Sequence, residues 1–483
     1  MVFSSPTFLF GFLPITLLLY YCSPRRTKNA LLLLASLLFY AWGEVFYIAV
    51  MLVSILSNYL FGLLIHNSQL QPNGEKLSKL FLCLGVIVNV ALLTSYKYAN
   101  FISDNLDMVA SWMGLALIEL APVHLPLGIS FFTFQAISYI VDIYRKEAAP
   151  QKSVFNLALY ISLFPQLIAG PIIRYHNVVL QITGRIHSIG LVASGVQRFI
   201  YGLAKKMLIA NPLGEVADSV FALSGGDLTM PLAWIGILAY TLQIYFDFSG
   251  YSDMAIGLGR MFGFSFQENF NYPYIATSIR DFWRRWHISL STWFRDYIYI
   301  SLGGNRVSTF RIYVNLLIVF ILTGFWHGAS WNFLIWGLFH GFFLVVERAG
   351  LSRGIGSMWK PMQHLYLLFV VIVGWVFFRA DNLSLATEYL AAMFDIHNMS
   401  TTHYQFAMIL TNEAILAFIV GAVLATPIYK HIGNKFSVLS GDSVIRVFCL
   451  VEFPRFLILA LLLFISIIKM SASTYNPFIY FRF

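Results

Sequence analysis

The chain has 483 residues, 59% of them hydrophobic and only 11% charged, with a mean hydropathy of +0.73. Soluble domains carry about 25% charged residues, so this composition excludes a water-soluble globular protein and makes lipid the solvent for most of the chain. The net charge of +9 is the basic excess expected of a membrane protein with cytoplasmic loops, and it does not argue for nucleic acid.

Apolar runs long enough to cross a hydrocarbon core about 30 Å thick predict spans at roughly 7–21, 30–46, 48–65, 80–96, 125–143, 199–212, 231–249, 312–327, 331–347, 365–380, 411–429 and 456–471. The segment Met1 to Tyr21 lacks a basic n-region and a small-residue cleavage site, so it reads as a retained first span and not a signal peptide. The stretch 155–173 is apolar but contains Pro165, Gly170 and Pro171. It is expected to be re-entrant, because broken backbone at membrane depth must be covered by protein. The three cysteines, Cys22, Cys83 and Cys449, are scattered and form neither a disulfide framework nor a metal cluster. The predicted fold class is an all-α integral membrane protein with about 11–13 membrane helices plus re-entrant and interfacial helices, in a single polytopic domain over 1–483.

Basic residues collect in alternate loops: Arg25, Arg26 and Lys28; Lys76 and Lys79; Arg145, Lys146 and Lys152; the 260–311 loop; and Arg348, Arg353 and Lys360. The intervening loops are acidic or poor in basic residues, with Asp104, Asp107 and Glu119, then Glu215, Asp218 and Asp227, then Asp381, Glu388 and Asp395. The positive-inside rule makes the basic side cytoplasmic, and both termini fall outside if 155–173 does not cross. Helix interruptions cluster around 250–332, whereas a transporter built on inverted repeats needs paired interruptions in two halves.

The chemistry concentrates between Tyr245 and Gly341. Asp247 and Asp253 lie in the apolar stretch Tyr245-Phe-Asp-Phe-Ser-Gly-Tyr-Ser-Asp253. A charge at mid-membrane costs about 2.5–3.5 kcal/mol even on lenient scales, so both must face protein partners, water or a cavity; helix-to-helix hydrogen bonding is the plainer reading. Next, Phe282, Trp286, Leu290, Trp293 and Tyr297 form one apolar stripe at spacings of three and four, with Arg284, Arg285 and Arg295 away from it. This predicts a basic amphipathic helix on the cytoplasmic face, its tryptophans at headgroup level. It either anchors to anionic lipid or docks an anionic acyl donor through Arg284, Arg285, Arg295 and Trp286. His287 sits in its middle.

The apolar stretch 312–348 would span about 55 Å as one helix, so it must break, and the glycines and Asn332 put the break beside His327. An intramembrane histidine at a break is a site hypothesis, although a buried histidine flanked by tryptophan commonly only packs. His340, in Trp336-Gly-Leu-Phe-His340-Gly341, is a further polar position. His327 and His340 lack metal-ligand spacing, and no Ser, His and Asp set is readable.

The segments Trp326-His327-Gly328 and Asp281-Phe-Trp-Arg-Arg-Trp-His287-Ile-Ser-Leu-Ser resemble the membrane-bound O-acyltransferase superfamily. Within it the likeness is to the membrane subunits of bacterial alginate O-acetyltransferase. That likeness is carried by Met1-Val-Phe-Ser-Ser5, Phe39-Tyr-Ala-Trp42, Tyr96-Lys-Tyr-Ala-Asn-Phe101, Leu127-Gly-Ile-Ser-Phe131, Ala169-Gly-Pro171, the Tyr245–Gly257 stretch and Leu302-Gly-Gly-Asn-Arg306. It is dense over 1–380 and weak over 381–483, where the helices diverge.

The resemblance implies a ring of tilted helices around a central tunnel, with His327 and His287 as its catalytic positions and Asp247, Asp253, Asn332 and His340 as polar groups of the tunnel. It further implies a multi-pass protein of the bacterial inner membrane with no bound cofactor. The donor would be acetyl-CoA or an acyl-carrier thioester on the cytoplasmic side, and periplasmic partner proteins would esterify a polysaccharide. Related members move D-alanine toward teichoic acid or acetylate peptidoglycan or cellulose. A transporter of an acyl donor or glycan is the reading from a different class.

Overall fold

In lipid every backbone N–H and C=O must find a partner within its own segment or in covering protein, so the apolar runs have helix as their available form. The computed structural model describes residues 1–223, 225–400, 403–428, 452–472, 475–477 and 479, and among these the regular structure is helical without strands. By length and composition seven helices can cross a membrane: Ile48–Gln69, Glu75–Trp112, Met230–Met261, Thr309–His327, Trp331–Ser357, Lys360–Arg379 and Phe453–Ala472. Five shorter apolar helices join them: Thr7–Cys22, Lys28–Ala41, Ile129–Tyr144, Leu383–Phe394 and Asn412–Leu424.

The expected spans correspond to these helices with two differences. The expected 199–212 span is part of a continuous helical run from Ile189 to Phe221, π-helical over Lys205–Ala210. Arg198, Lys205, Lys206, Glu215 and Asp218 are spread along it, so it is not one of the seven. Leu383–Phe394 is an apolar helix not expected as a span. Much of the region after the expected 411–429 span lies outside the described residues, Cys449 included, while Cys22 and Cys83 are free and exposed.

The chain forms two compact units, one of Met1–Gly195 with Leu258–Gln267, the other of Val196–Gly257 with Glu268–Phe483. In the first, the expected break in 155–173 is real: helices Val154–Ser162 and Phe164–Leu167 meet at Leu163. Every residue from 157 to 173 is buried. Side chains replace the missing helical bonds. Ser36 Oγ accepts from the Phe164 N–H at 3.1 Å, Tyr160 Oη donates to the Ile173 carbonyl at 2.8 Å, and Gln166 Nε2 donates to the Tyr160 carbonyl at 2.6 Å. Asn58 and Asn89 exchange amide hydrogen bonds of 3.0 and 2.7 Å, joining the Ile48–Gln69 helix to the one after it.

In the second unit the polar residues of the Ile189–Phe221 run meet the acids of Met230–Met261. Lys206 Nζ stands 2.5 Å from Asp247 Oδ1, and Arg198 and Lys205 hold Asp253 at 2.6 and 2.7 Å. Asp247 and Asp253 are thus paired between helices, the plainer of their two readings.

Helices Thr309–His327 and Trp331–Val346 form a hairpin. Each carries a glycine-x-x-x-glycine around its histidine, Gly324-Phe-Trp-His-Gly328 and Gly337-Leu-Phe-His-Gly341. A Cβ on Gly337 would run into the carbonyl oxygen of Phe320, and one on Gly324 into that of Phe333. Backbone thus packs on backbone, the close approach that small residues permit between membrane helices. Gly337→Val is expected to destabilise the protein by at least about 1–3 kcal/mol, read as a lowered Tm in lipid discs. Wild-type Tm would show that the hairpin tolerates separation.

Candidate active site

The segment expected as one amphipathic helix is two seven-residue helices, Ile279–Arg285 and Ile288–Phe294. The first starts at Ser278, whose Oγ accepts from the Asp281 N–H at 3.1 Å. Glu347 adds to that start by accepting from the N–H groups of Ile279 and Arg280 at 2.7 and 3.1 Å. Between the helices His287 adopts left-handed backbone angles, φ 43° and ψ 55°, a conformation that a non-glycine residue keeps only when its surroundings impose it. The stripe of Phe282, Trp286, Leu290, Trp293 and Tyr297 is buried in protein and does not face outward as an anchoring surface would. Periodicity identified the apolar face, but what covers it is the rest of the unit.

Asn269 imposes the turn. Its carbonyl accepts from the Ile288 N–H at 2.9 Å, and its Oδ1 accepts from the Ser289 N–H at 3.2 Å and from Ser289 Oγ at 2.9 Å. A backbone N–H can only donate, so the atom it meets is the amide oxygen. His287 Nδ1, 3.2 Å from the same oxygen, therefore carries the proton, and Nε2 is the lone-pair nitrogen. Asn269 Nδ2 donates to Ser252 Oγ at 3.0 Å. The neighbouring Glu268 is gripped by Arg198, which also holds Asp253. Asp253 thus supports the loop that sets the histidine.

His287 is wholly buried, and burial pushes its pKa down to about 3, so its imidazole is neutral at any physiological pH. Asn269→Asp places a carboxylate against Nδ1 and should raise that pKa by about one to three pH units. A histidine titration absent from the wild type should then appear in the NMR spectrum of ring-labelled protein as pH falls from 7 to 4. An unchanged spectrum would mean Asn269 does not set the ring.

His327 is the last residue of its helix, followed by extended Gly328, and the next helix begins at Trp331. The expected break is where the sequence placed it. The histidines are strung together by aromatic rings. Trp326 lies 6.0 Å from His287 and 4.8 Å from His327, centroid to centroid. Trp336 lies 5.0 Å from His327 and 5.1 Å from His340. Phe378 closes on His327 at 5.0 Å, and Trp283 on His340 at 5.2 Å. His340 is fully buried, and neither of its ring nitrogens has a hydrogen-bond partner among the described residues. Gly374 makes room for it, since a Cβ there would stand 2.7 Å from His340 Nε2. Asn332 is buried and donates to the Ala380 carbonyl at 2.7 Å, terminating the Lys360–Arg379 helix.

The fold therefore brings His287, His327 and His340 into one buried, aromatic-lined cluster. The basic residues are not gathered with them. Arg284 is exposed, Arg285 pairs with Asp281 at 2.9 Å, and Arg295 pairs with the adjacent Asp296 at 2.6 Å. Trp286 is buried between Phe282 and Trp375, at 5.5 and 4.9 Å. Asn269 and the tryptophan chain had no sequence signal beyond being polar or aromatic residues near the motifs.

In the first unit Asp142, Glu147 and His176 bring metal-capable atoms within 4.8 Å of one another. There His176 uses both Nδ1 and its backbone N–H to donate to Asp142 Oδ2, at 2.9 and 3.1 Å.

Seven helices long and apolar enough to cross a membrane, together with three buried histidines, are what a multi-pass membrane protein with polar groups in its interior requires. The sequence profile of the membrane-bound O-acyltransferase family matches residues 37–386, and the chain belongs to that family; it is an O-acyltransferase. It is similar to the probable alginate O-acetylase AlgI of Azotobacter vinelandii, 42% identical over 100% of both chains. It is also similar to the peptidoglycan O-acetyltransferase of Helicobacter pylori, 37% identical over 100% of this chain and 98% of that one. The teichoic acid D-alanyltransferase of Bacillus subtilis is 27% identical over 60% of this chain and 81% of its own.

Proposed function

We propose that this protein takes an acetyl group from a cytoplasmic thioester, acetyl-CoA or an acyl carrier, for O-acetylation of an exopolysaccharide such as alginate. Periplasmic partner proteins complete the transfer, and the protein resides in the bacterial inner membrane. The observation that carries the chemistry is the pair of buried imidazoles, His287 and His327, that contact one tryptophan ring. The relatives that span the whole chain are named for acetylation, whereas the D-alanyl relative covers 60% of it, which favours acetyl over D-alanyl.

In this reading His327 is the general base. It takes the proton of the attacking hydroxyl as the oxygen bonds the thioester carbonyl carbon. The tetrahedral adduct then expels the thiolate, which recovers that proton to leave as the thiol. His287 has its Nδ1–H committed to Asn269. Its Nε2 can accept a hydrogen bond but not donate one, which favours binding the donor over polarising its carbonyl. Arg284 and the other basic residues of the 260–311 loop give the donor's phosphates a favourable approach from the cytoplasmic side.

Labelled acetyl-CoA supplied to one face of oriented proteoliposomes tests the reading. Consumption is expected only from the face bearing Arg284. Equal consumption from both faces would defeat the vectorial part, and none from either would remove acetyl-CoA as donor in favour of the carrier.

A further inference from the structure

Away from the histidine cluster, the first unit holds four basic side chains together at the end of the Thr7–Cys22 helix. Arg185 is fixed there by neutral acceptors. It donates to Asn29 Oδ1 at 2.6 Å, to the Ile182 carbonyl at 3.0 Å and to Tyr20 Oη at 3.2 Å. Its guanidinium also lies over Phe264 at 4.4 Å. His187 Nε2 is 2.8 Å from the buried Tyr20 Oη, and Lys28 Nζ sits over the rings of Tyr20 and Tyr21 at 4.6 and 5.0 Å.

Among the described residues no carboxylate pairs with Lys28, Arg185, His187 or the exposed Arg25. Burial first, and then the charges of Lys28, Arg185 and Arg25, push the His187 pKa down. Lys28, Arg185 and Arg25 therefore repel one another with no counter-ion among the described residues, while Tyr20 and Asn29 hold Arg185 in place and Tyr20 lies beneath Lys28. Such a cradle, aromatic beneath and positive above, suits an anion with several acceptor oxygens.

The surroundings indicate where the anion comes from. Ile186, between Arg185 and His187, is exposed, as are Ile189 beyond it and Leu18 and Leu19 on the adjoining helix. Apolar side chains exposed beside half-buried cations form the pattern of a protein surface at the headgroup boundary.

We propose that Arg25, Lys28, Arg185 and His187 form a binding site for a phosphate-bearing anion, and that its occupant is the headgroup of an anionic phospholipid of the cytoplasmic leaflet. The alternative source of the same chemistry is a soluble nucleotide phosphate.

The test uses the purified full-length chain in detergent, with bound molecules counted by native mass spectrometry. Phosphatidylglycerol, phosphatidylcholine and adenosine bisphosphate are titrated separately. Arg185 is left intact because its hydrogen bonds are structural. Lys28→Gln is expected to weaken phosphatidylglycerol binding about fivefold, and Arg25→Gln added to it by about as much again, with phosphatidylcholine binding unchanged. An unchanged Tm for both variants shows that the fold is kept. Phosphatidylglycerol bound no more tightly than phosphatidylcholine, or equally by wild type and both variants, would overturn the site. Lys28-dependent capture of adenosine bisphosphate in place of lipid would overturn the lipid assignment.

Discussion

His327→Ala is expected to lower acetyl transfer by about 10²–10⁴-fold, roughly 3–5 kcal/mol of barrier, while the protein keeps its fold and still binds donor. A neutral imidazole is the side chain whose basicity suits removing a hydroxyl proton near neutral pH. His327 offers an imidazole at a helix end, walled by Trp326, Trp336 and Phe378. Buried, apolar surroundings strengthen every electrostatic interaction made in the transition state. Truncation also opens a gap beside those rings, so His327→Gln serves as the control that retains bulk and polarity. Both variants should fall together in single-turnover consumption of labelled acetyl-CoA in lipid discs. Turnover at the wild-type rate in either would remove His327 from the chemistry, and loss of donor binding along with turnover would make its role structural.

Asp247→Ala should cost about 3–5 kcal/mol of stability, because it strands a buried ammonium. Lys206 and Asp247 are both buried, 2.5 Å apart. The pair is part of a larger network: Asp247 Oδ2 accepts from the Ile479 N–H at 3.0 Å, and Lys206 donates to the Pro477 carbonyl. Nearby, Asp218 accepts from Arg379 and from Tyr475 Oη, each at 2.6 Å. Tyr475, Pro477 and Ile479 are thus tied to the rest of their unit through Asp218, Lys206 and Asp247. The double variant Lys206→Met/Asp247→Leu removes both charges and should recover most of the loss, since two apolar side chains need no compensation. Thermal unfolding of the single and double variants measures the coupling. Additive losses would show that the pair does not act as a unit.

The two predictions separate residues that resembled one another in the sequence. His327, His287, Asp247 and Asp253 are all polar groups in apolar stretches, and each has to be explained against the same desolvation cost. Pattern alone could not sort them, because the sorting depends on partners far away in the chain. Asp247 is answered by Lys206, and Asp253 by Arg198 and Lys205. His287 is answered by Asn269, a residue with no periodicity or motif to mark it, yet it decides which imidazole nitrogen carries the proton. The stripe from Phe282 to Tyr297 was legible as apolar, but the left-handed turn that divides it was not. Spacings of three and four mark an apolar face in one long helix or in two short ones, and the angles of His287 are imposed by the amide of Asn269.

The sequence by itself determined that lipid is the solvent, where most helices run, that 155–173 is broken, and that the chain interrupts its helix beside His327. Each of these follows from local causes: run length against membrane thickness, proline removing a donor, glycine allowing close approach. Only the tertiary structure decided which cations answer Asp247 and Asp253, that Trp286 is walled in by Phe282 and Trp375, and that Trp326 and Trp336 link three histidines. Those outcomes depend on side chains brought together from distant helices. In a medium of low dielectric, the partner a polar group finds there sets its charge, its tautomer and its role.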